Sequence, residues 1–288
     1  MRTVQYHDYS NLSAKAYEDH VDMMTANHKK ATRFIMEHTY SLCLHEEELK
    51  NAISKSLEHQ YIVYDSGAMS HEGEDGPTTD IILSRKKTFE AASSYKGKKV
   101  AVLNFASNHS VGGFPWWSNA QEESLCHVST LFPCILQEYE TFYVPHQNAY
   151  SEGKMDHYGN DDLIFTPGVV VFKDDDPLSR MLPMERRFAV DVITCAAPSF
   201  ARAPYDATRF EAMMRKRIHA ILQVAKKEGV EVLILGAFGC GVYRNPPETV
   251  ARLFKEQLAL FHFEKVEFAI YDRNPAGGNF DSFNKVFH

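Results

Sequence analysis

The chain has no apolar run of membrane-spanning length, and its N-terminal MRTVQYHDYS lacks the hydrophobic stretch of a secretory leader. An intracellular protein, cytoplasmic or nuclear, with no membrane partner is expected. Positive charge is also short: 31 Lys and Arg stand against 38 Asp and Glu, a net charge of −7. That balance argues against a nucleic-acid surface, which needs a basic stripe, so no direct nucleic-acid partner is expected. A ligand carrying phosphates remains compatible, because backbone N–H groups bind phosphate locally. Cysteines are few and odd in number (Cys43, Cys126, Cys134, Cys195 and Cys240), and none forms a C-x-x-C pair. Reduced, mostly buried thiols follow. There is no internal repeat and no low-complexity segment.

What is present suffices for a full core. Of 288 residues 44% are hydrophobic and 24% charged, which excludes global disorder. Residues 13–58 read as helical, with Leu44–Leu57 as a second segment opened by acidic residues. The histidines there (His20, His28, His38, His45 and His59) lack ligand spacing, so no metal is expected. Ser66–Thr79 has the Gly, Ser and acidic composition of a loop. Short strand Ile81–Leu83 and short helix Thr88–Tyr95 follow. Later segments are strand Val100–Phe105, helix Asn119–Tyr139, loop Tyr143–Asp162, and strand pieces across Leu163–Phe172 broken at Pro167–Gly168. Then come a charged excursion over Lys173–Arg187, strand Phe188–Ala197, helix Tyr205–Glu228, strand Glu231–Leu235, helix Pro246–Phe261, strand Lys265–Tyr271 and helix Phe280–Phe287. Strands alternating with helices from Val100 onward predict a layered α/β domain with a largely parallel sheet.

The stretch from Val100 to Leu136 carries the first chemistry. An apolar strand runs into a small polar loop, Ala106–Ser110, then Gly112–Gly113, an aromatic bend Phe114–Trp117, and Gln121–Glu122–Glu123 opening a helix. Ser118, three residues before Gln121, fits an N-cap with a reciprocal capping partner. Open α/β folds bind ligands at such strand ends. Adjacent helical residues point about 100° apart, so one carboxylate can transfer a proton while the other holds a hydroxyl. An ordinary acidic first turn is the other reading. Close like charges raise one carboxyl pKa while the helix start lowers both, which leaves the protonation state open.

Small residues Asn104–Ser107 and Gly112–Gly113 permit close backbone approach to a ligand. Gly236–Tyr243 (GAFGCGVY) sets three glycines between a buried strand and a helix. Its N–H groups suit a diphosphate or ribose phosphate, and a purely structural turn is the alternative. No Gly-Lys-Ser/Thr follows it, and the glycine spacing reverses G-x-G-x-x-G. Cys240 near a helix start is a candidate nucleophile with a lowered pKa, although no general base comes with it. Trp116 and Trp117 serve either to stack on a base or sugar or to cover the core.

Together these segments resemble the bacterial-type (microbial) poly(ADP-ribose) glycohydrolases of the macrodomain superfamily. That family carries three glycines, seven residues, then Gln-Glu-Glu; here Val111–Gly112–Gly113 is followed by FPWWSNA and Gln121–Glu122–Glu123. NFAS (Asn104–Ser107), LIFTPGVVVFKDDD (Leu163–Asp176), VITCAAPS (Val192–Ser199), GAFGCGVYRNPP (Gly236–Pro247) and AIYDRN (Ala269–Asn274) extend the likeness. It runs from about Thr79 to the C-terminus. It implies a three-layer α/β/α macrodomain-like mixed sheet over 79–288, with 1–78 as an N-terminal helical extension and linker loop packed on it.

The resemblance also implies an ADP-ribosyl hydrolase that cleaves the glycosidic bond at the distal ribose of protein-linked ADP-ribose. No cofactor is implied. Glu123 takes the position of the catalytic acid and Glu122 that of the residue holding ribose hydroxyls. Gly239, Cys240, Gly241 and Val242 would wrap the diphosphate, and Tyr243 replaces a phenylalanine that orients the distal ribose. Asn104, Phe105, Ala106, Ser107, Gly112, Gly113 and Gln121 complete the expected substrate-binding set. Val111 stands where the first glycine is usual and Ser110 where proline is common. Pro115–Trp116–Trp117 replaces a smaller segment, which implies a bulkier cleft walled by two tryptophans. That bulk suits a single ADP-ribose on a protein side chain, arginine or acidic, as the alternative to polymer. A non-catalytic ADP-ribose reader and a Cys240 hydrolase are the rivals from other classes.

Overall fold

The computed structural model describes residues 5–24, 27–64, 78–200, 206–272 and 278–288. The expected loop Ser66–Thr79 thus lies almost wholly outside the described residues. Strands β1 (Tyr61–Val63), β2 (Asp80–Ser84), β3 (Val100–Phe105), β4 (Leu163–Val171), β5 (Phe188–Cys195), β6 (Val232–Leu235) and β7 (Lys265–Ala269) form one sheet. Its order is β1-β4-β5-β3-β6-β7-β2. Neighbours from β5 across to β2 run parallel, whereas β4 is antiparallel to both β5 and β1. The sheet is mixed, as the resemblance implies. The three-residue β1, too short for a periodicity to register, comes from the N-terminal segment.

Both faces of the sheet are buried, so its inner strands alternate between two cores rather than between core and water. Ala101, Leu103, Ile193, Leu233 and Phe268 face one core, where α8 (Ala207–Lys227), α9 (Pro247–Leu258) and α10 (Asn279–Phe287) pack. Val100, Val102, Val192, Val232 and Ile234 face the other. There α2 (His28–His45) contributes Met36 and Tyr40, and α4 (Thr88–Ala92) contributes Phe89. The N-terminal helices α1 (Ala14–Met24) and α3 (Glu47–His59) flank α2, and α2 therefore forms part of the layer itself.

Two expected elements differ. The helix expected over Asn119–Tyr139 is split into α5 (Gln121–Val128) and α6 (Leu131–Leu136). Pro133 lacks an N–H, and its ring would collide with the carbonyl of residue 129 in a continuous helix. The break falls at that residue: Ser129 bridges to Val171, its hydroxyl donates to the Leu125 carbonyl (2.7 Å), and Thr130 N–H donates to Val170 O (3.0 Å). Tyr143–Asp162, expected as a loop, contains α7 (Val144–Ser151), entered through a π-helical turn at Tyr139–Tyr143. Pro145 sits in its first turn, where proline is tolerated. Its polar sequence hides the helix, because only His146 of α7 is buried.

Candidate active site

At the C-terminal end of β3, pairing with β6 stops at Val102. The carboxamide of Gln121 continues the ladder there. Its oxygen accepts from Phe105 N–H (2.8 Å), and its nitrogen donates to Leu103 O (2.8 Å) and to Thr88 Oγ1 (3.1 Å). One side chain thus ties the start of α5 to the end of β3 and to α4. Gln121, expected to bind substrate, spends its amide on the scaffold and is a positioning residue. For the same reason the expected capping pair does not form. Ala120 occupies the N-cap with an extended backbone and no side-chain cap bond, while Ser118 Oγ accepts from Ala120 N–H (3.4 Å).

Fixing Gln121 sends the next two side chains into the end of the sheet. Glu122 and Glu123 are only 4% and 6% exposed, which rules out an ordinary solvated acidic turn. Glu122 Oε2 accepts from Ser107 N–H (2.8 Å), and Oε1 lies 3.4 Å from Asn104 Nδ2. Glu123 Oε1 accepts from Phe114 N–H (3.0 Å). A Cβ built on Gly113 would meet Glu123 Oε1 at 2.4 Å and Glu122 Oε2 at 3.2 Å. The two carboxylates therefore converge on one glycine, although their Cα–Cβ bonds diverge by a helical step: the length of the glutamate stem closes that angle. Burial pushes the Glu122 carboxyl well above its usual range, with Glu123 adding to it and the Ser107 bond opposing it. Fully buried Asn104 also touches Thr194 Oγ1 (3.3 Å), and its Oδ1 has no hydrogen-bond partner.

The loop after β3 is held on both sides. Ala106 N–H donates to Cys195 O (3.0 Å), and Ser107 Oγ accepts from Ser110 N–H (3.1 Å). Behind it, the ring of His146 meets Asn108 O (2.8 Å) and Asp162 Oδ2 (2.9 Å), and Gln147 Nε2 donates to His109 O (2.7 Å). Gly112, with φ +63°, packs against Phe132 and Cys126, where a Cβ would come within 3.0 and 3.1 Å. Val111 adopts no left-handed conformation, and its side chain packs between two core clusters, so the missing first glycine is accommodated.

The second glycine turn, 236–243, follows β6, the parallel neighbour of β3, and packs on Phe105 at the end of β3. That ring lies 5.8 Å from Phe238, centroid to centroid, and would be 2.9 Å from a Cβ on Gly236. Gly239 has φ +72° and sits on Asn245, whose Nδ2 would be 2.2 Å from its Cβ. Phe238 and Cys240 N–H groups close turns on Gly236 O and Ala237 O (2.9 and 3.0 Å). Among the described residues, the N–H groups of Gly239, Gly241 and Val242 have no partner. Exposed Gly241 and Val242 form the outer rim, while Tyr243 packs against the core beneath α8 and α9. Burial, with Asp272 adding to it, pushes the Cys240 thiol up, the reverse of an activated nucleophile. Among the described residues its sulfur has one hydrogen-bond partner, Phe238 O at 3.7 Å, and no general base. The Cys240 hydrolase reading falls with that.

The aromatic bend divides. Trp116 turns inward, edge-on to Phe132 with centroids 5.0 Å apart, while Phe114 and Trp117 stay exposed. Of the two tryptophans, only Trp117 is exposed. His127 Nε2 donates to Pro115 O (2.6 Å), and burial holds this imidazole neutral by lowering its pKa to about 4.

The family model for the microbial-type poly(ADP-ribose) glycohydrolase (PARG) catalytic domain matches residues 25–174, just over half of the 288. The chain belongs to this family. The matched residues include Gly112, Gly113 and Gln121–Glu122–Glu123. The structure of PARG from Thermomonospora curvata superposes with a TM-score of 0.78 at 26% identity, over 89% of this chain and 99% of that one. The same enzyme bound to the inhibitor ADP-HPD gives 0.74 at 25% identity over the same shares. PARG from Deinococcus radiodurans in complex with ADP-ribose gives 0.69 at 28% identity, over 81% and 96%. No curated protein matches the chain. The fold of this microbial-type PARG catalytic domain is thereby that of its structural relatives, and the sheet-end position of Glu122 and Glu123 fits the ligand-binding edge of such a sheet. Sequence reasoning missed Thr194, the His146–Asp162 pair, Asn245 and the N–H of Phe114. Thr194, Phe114 and Asn245 lie inside the stretches VITCAAPS, FPWW and GAFGCGVYRNPP, whereas the His146–Asp162 pair left no local signal.

Proposed function

We propose that this PARG-family chain hydrolyses the glycosidic bond at the distal ribose of protein-linked ADP-ribose, with poly(ADP-ribose) as substrate. The convergence of two buried glutamates on Gly113, beside a second glycine turn with free N–H groups, is the observation that carries this reading. Glu123 is the acid. Its Oε1 is occupied by Phe114 N–H, which leaves Oε2 to hold the proton. That proton passes to the leaving oxygen as the bond to the anomeric carbon breaks and the ribose gains oxocarbenium character. The resulting carboxylate takes a proton from water as the water oxygen attacks the same carbon, giving ADP-ribose and restoring the acid. Glu122, fixed by Ser107, holds the ribose hydroxyls, and its raised pKa equips it to donate as well as accept. Asn104, Phe105, Ala106, Ser107, Gly112 and Gly113 shape the ribose side. The N–H groups of Gly239, Gly241 and Val242 receive the diphosphate, with Cys240 completing the turn and Tyr243 beside the distal ribose.

Incubation with poly- and mono-ADP-ribosylated proteins, with Glu123→Gln as control, tests this. The wild type should release ADP-ribose from polymer, and the variant should keep ADP-ribose affinity while losing about 10²–10⁴-fold in turnover. Unchanged turnover in Glu123→Gln removes Glu123 from the chemistry. Tight binding without product over long incubation would identify a reader, and release from mono-modified protein alone would identify an acceptor-linkage hydrolase.

A further inference from the structure

Phe114 and Trp117 are 63% and 54% exposed, and neither belongs to a hydrophobic core cluster. Two large aromatic side chains left in water within three residues of each other, one of them bonded through its N–H to Glu123, form an apolar patch of the kind that marks an interaction site. The turn that presents these rings is rigid. Trp117 N–H donates to Phe114 O (2.9 Å), Pro115 O is held by His127, and Trp116 anchors the turn on Phe132. Phe114 is also the residue whose N–H holds Glu123. On the other side, the guanidinium of Arg33 lies 5.5 Å from the Trp117 ring centroid, and its Nε is steadied by Glu37 at 3.0 Å. An aromatic pair with an adjacent arginine is a nucleotide-binding combination, base on ring and phosphate on guanidinium.

Resting on the glycohydrolase reading above, we infer that Phe114, Trp117 and Arg33 form a subsite for the nucleotide on the leaving side of the scissile bond. The carboxylate that protonates the leaving oxygen must face the leaving group, so that group departs past the residue pinned to Glu123. In poly(ADP-ribose) the leaving oxygen is the 2′-oxygen of an adenosine. An adenine therefore lies one sugar ring away, within reach of the two aromatic faces, and that nucleotide's diphosphate lies within reach of Arg33. A mono-ADP-ribosylated side chain has no base there. The bend that reads as an obstruction to polymer is thus a selector for it.

Initial rates on a two-unit ADP-ribose oligomer and on an ADP-ribosyl aryl glycoside, which lacks the leaving-side nucleotide, separate the outcomes. Trp117→Ala should raise KM for the oligomer about 5- to 150-fold, the range of one lost base stack, with kcat little changed. Trp117→Phe should restore most of the loss, and Arg33→Gln should raise KM and weaken its salt dependence. KM for the aryl glycoside and Kd for free ADP-ribose should stay at wild-type values in all three, which also shows that the variants fold. Equal changes on both substrates, or faster oligomer cleavage in Trp117→Ala, would overturn the subsite and leave the glycohydrolase reading intact. A wild type inert on both substrates would overturn that reading and the subsite with it.

Discussion

Gly113 is the floor against which Glu123 is set: a Cβ there would stand 2.4 Å from Oε1, inside any allowed contact. The backbone also has φ +67°, where a side chain costs about 1–2 kcal/mol by itself. Gly113→Ala should therefore displace the carboxylate as well as strain the turn. An ångström of misplacement is enough for a loss of about 10²-fold in kcat. Gly153→Ala supplies the control, since Gly153 has φ +69° with nothing within 4 Å of its Cβ position. It should lose comparable stability in a denaturant titration and keep its rate. Equal activity in the two variants would separate Gly113 from the catalytic geometry.

Gln121 makes a different expectation, because its amide serves the backbone. Gln121→Leu leaves Phe105 N–H and Leu103 O without their partner at the end of β3. Each unsatisfied buried group costs about 1–3 kcal/mol, so a fall in stability of roughly 2–5 kcal/mol should appear in urea unfolding. Turnover should fall with it, since α5 carries both glutamates. Gln121→Glu should not rescue the variant, because a carboxylate cannot donate to Leu103 O. A variant with wild-type stability and weakened ADP-ribose binding would return Gln121 to the ligand.

These two residues mark what a one-dimensional reading reaches. The parallel strands β3, β5, β6 and β7 are legible because burial on both faces makes them apolar runs, and α8 and α9 because their stripes repeat at helical spacing. The split at Pro133 was present in the letters, but the apolar stripe through Ile135 outweighed it. The helix α7 and strand β1 were not visible: one buries only His146 and so carries no apolar stripe, and the other is three residues long. At the site, local features carried through, namely the glycines, the adjacent glutamates and the aromatic bend. Features that join distant segments did not: Asn104 meets Thr194 across 90 positions, and His146 reaches Asn108 across 38. Nothing in either neighbourhood announces its partner.

Glu122 should trade stability for function. Its folded pKa is raised by burial, so its contribution to stability is full below the unfolded value of about 4.3 and is lost as pH rises through the folded value. At neutral pH the buried carboxyl is a liability that a neutral isostere removes. Glu122→Gln should melt at a higher temperature than the wild type at pH 7, with the gap closing as pH falls toward 4. The same variant should bind ADP-ribose more weakly, because an amide nitrogen replaces one of the two oxygens that can accept from the ribose hydroxyls. A pH-independent difference in Tm would show that Glu122 is already neutralised by another route.

Lys173 offers the clearest test away from the site. It is 1% exposed, its ammonium lies 4.7 Å from the Tyr17 ring centroid, and among the described residues its one hydrogen bond is a long one to Ile35 O at 3.5 Å. No carboxylate pairs with it among the described residues. Buried beside it are Cys43 and His38, and the imidazole is lowered to about 2 by burial and by this lysine. Burial likewise holds the Lys173 pKa well below the usual ammonium range, an effect that Cys43 only partly offsets. The folded protein therefore binds this proton less tightly than the unfolded chain does. Stability attributable to Lys173 is penalised at neutral pH and recovers as pH rises toward the unfolded value of about 10.4. Lys173→Met fills the same volume without a charge and should stabilise the fold by roughly 1–4 kcal/mol at pH 7. Denaturant midpoints for wild type and variant should converge between pH 7 and pH 10. A gap that stays constant across that range would mean that Lys173 titrates alike in the folded and unfolded chains, and that its burial carries no electrostatic cost.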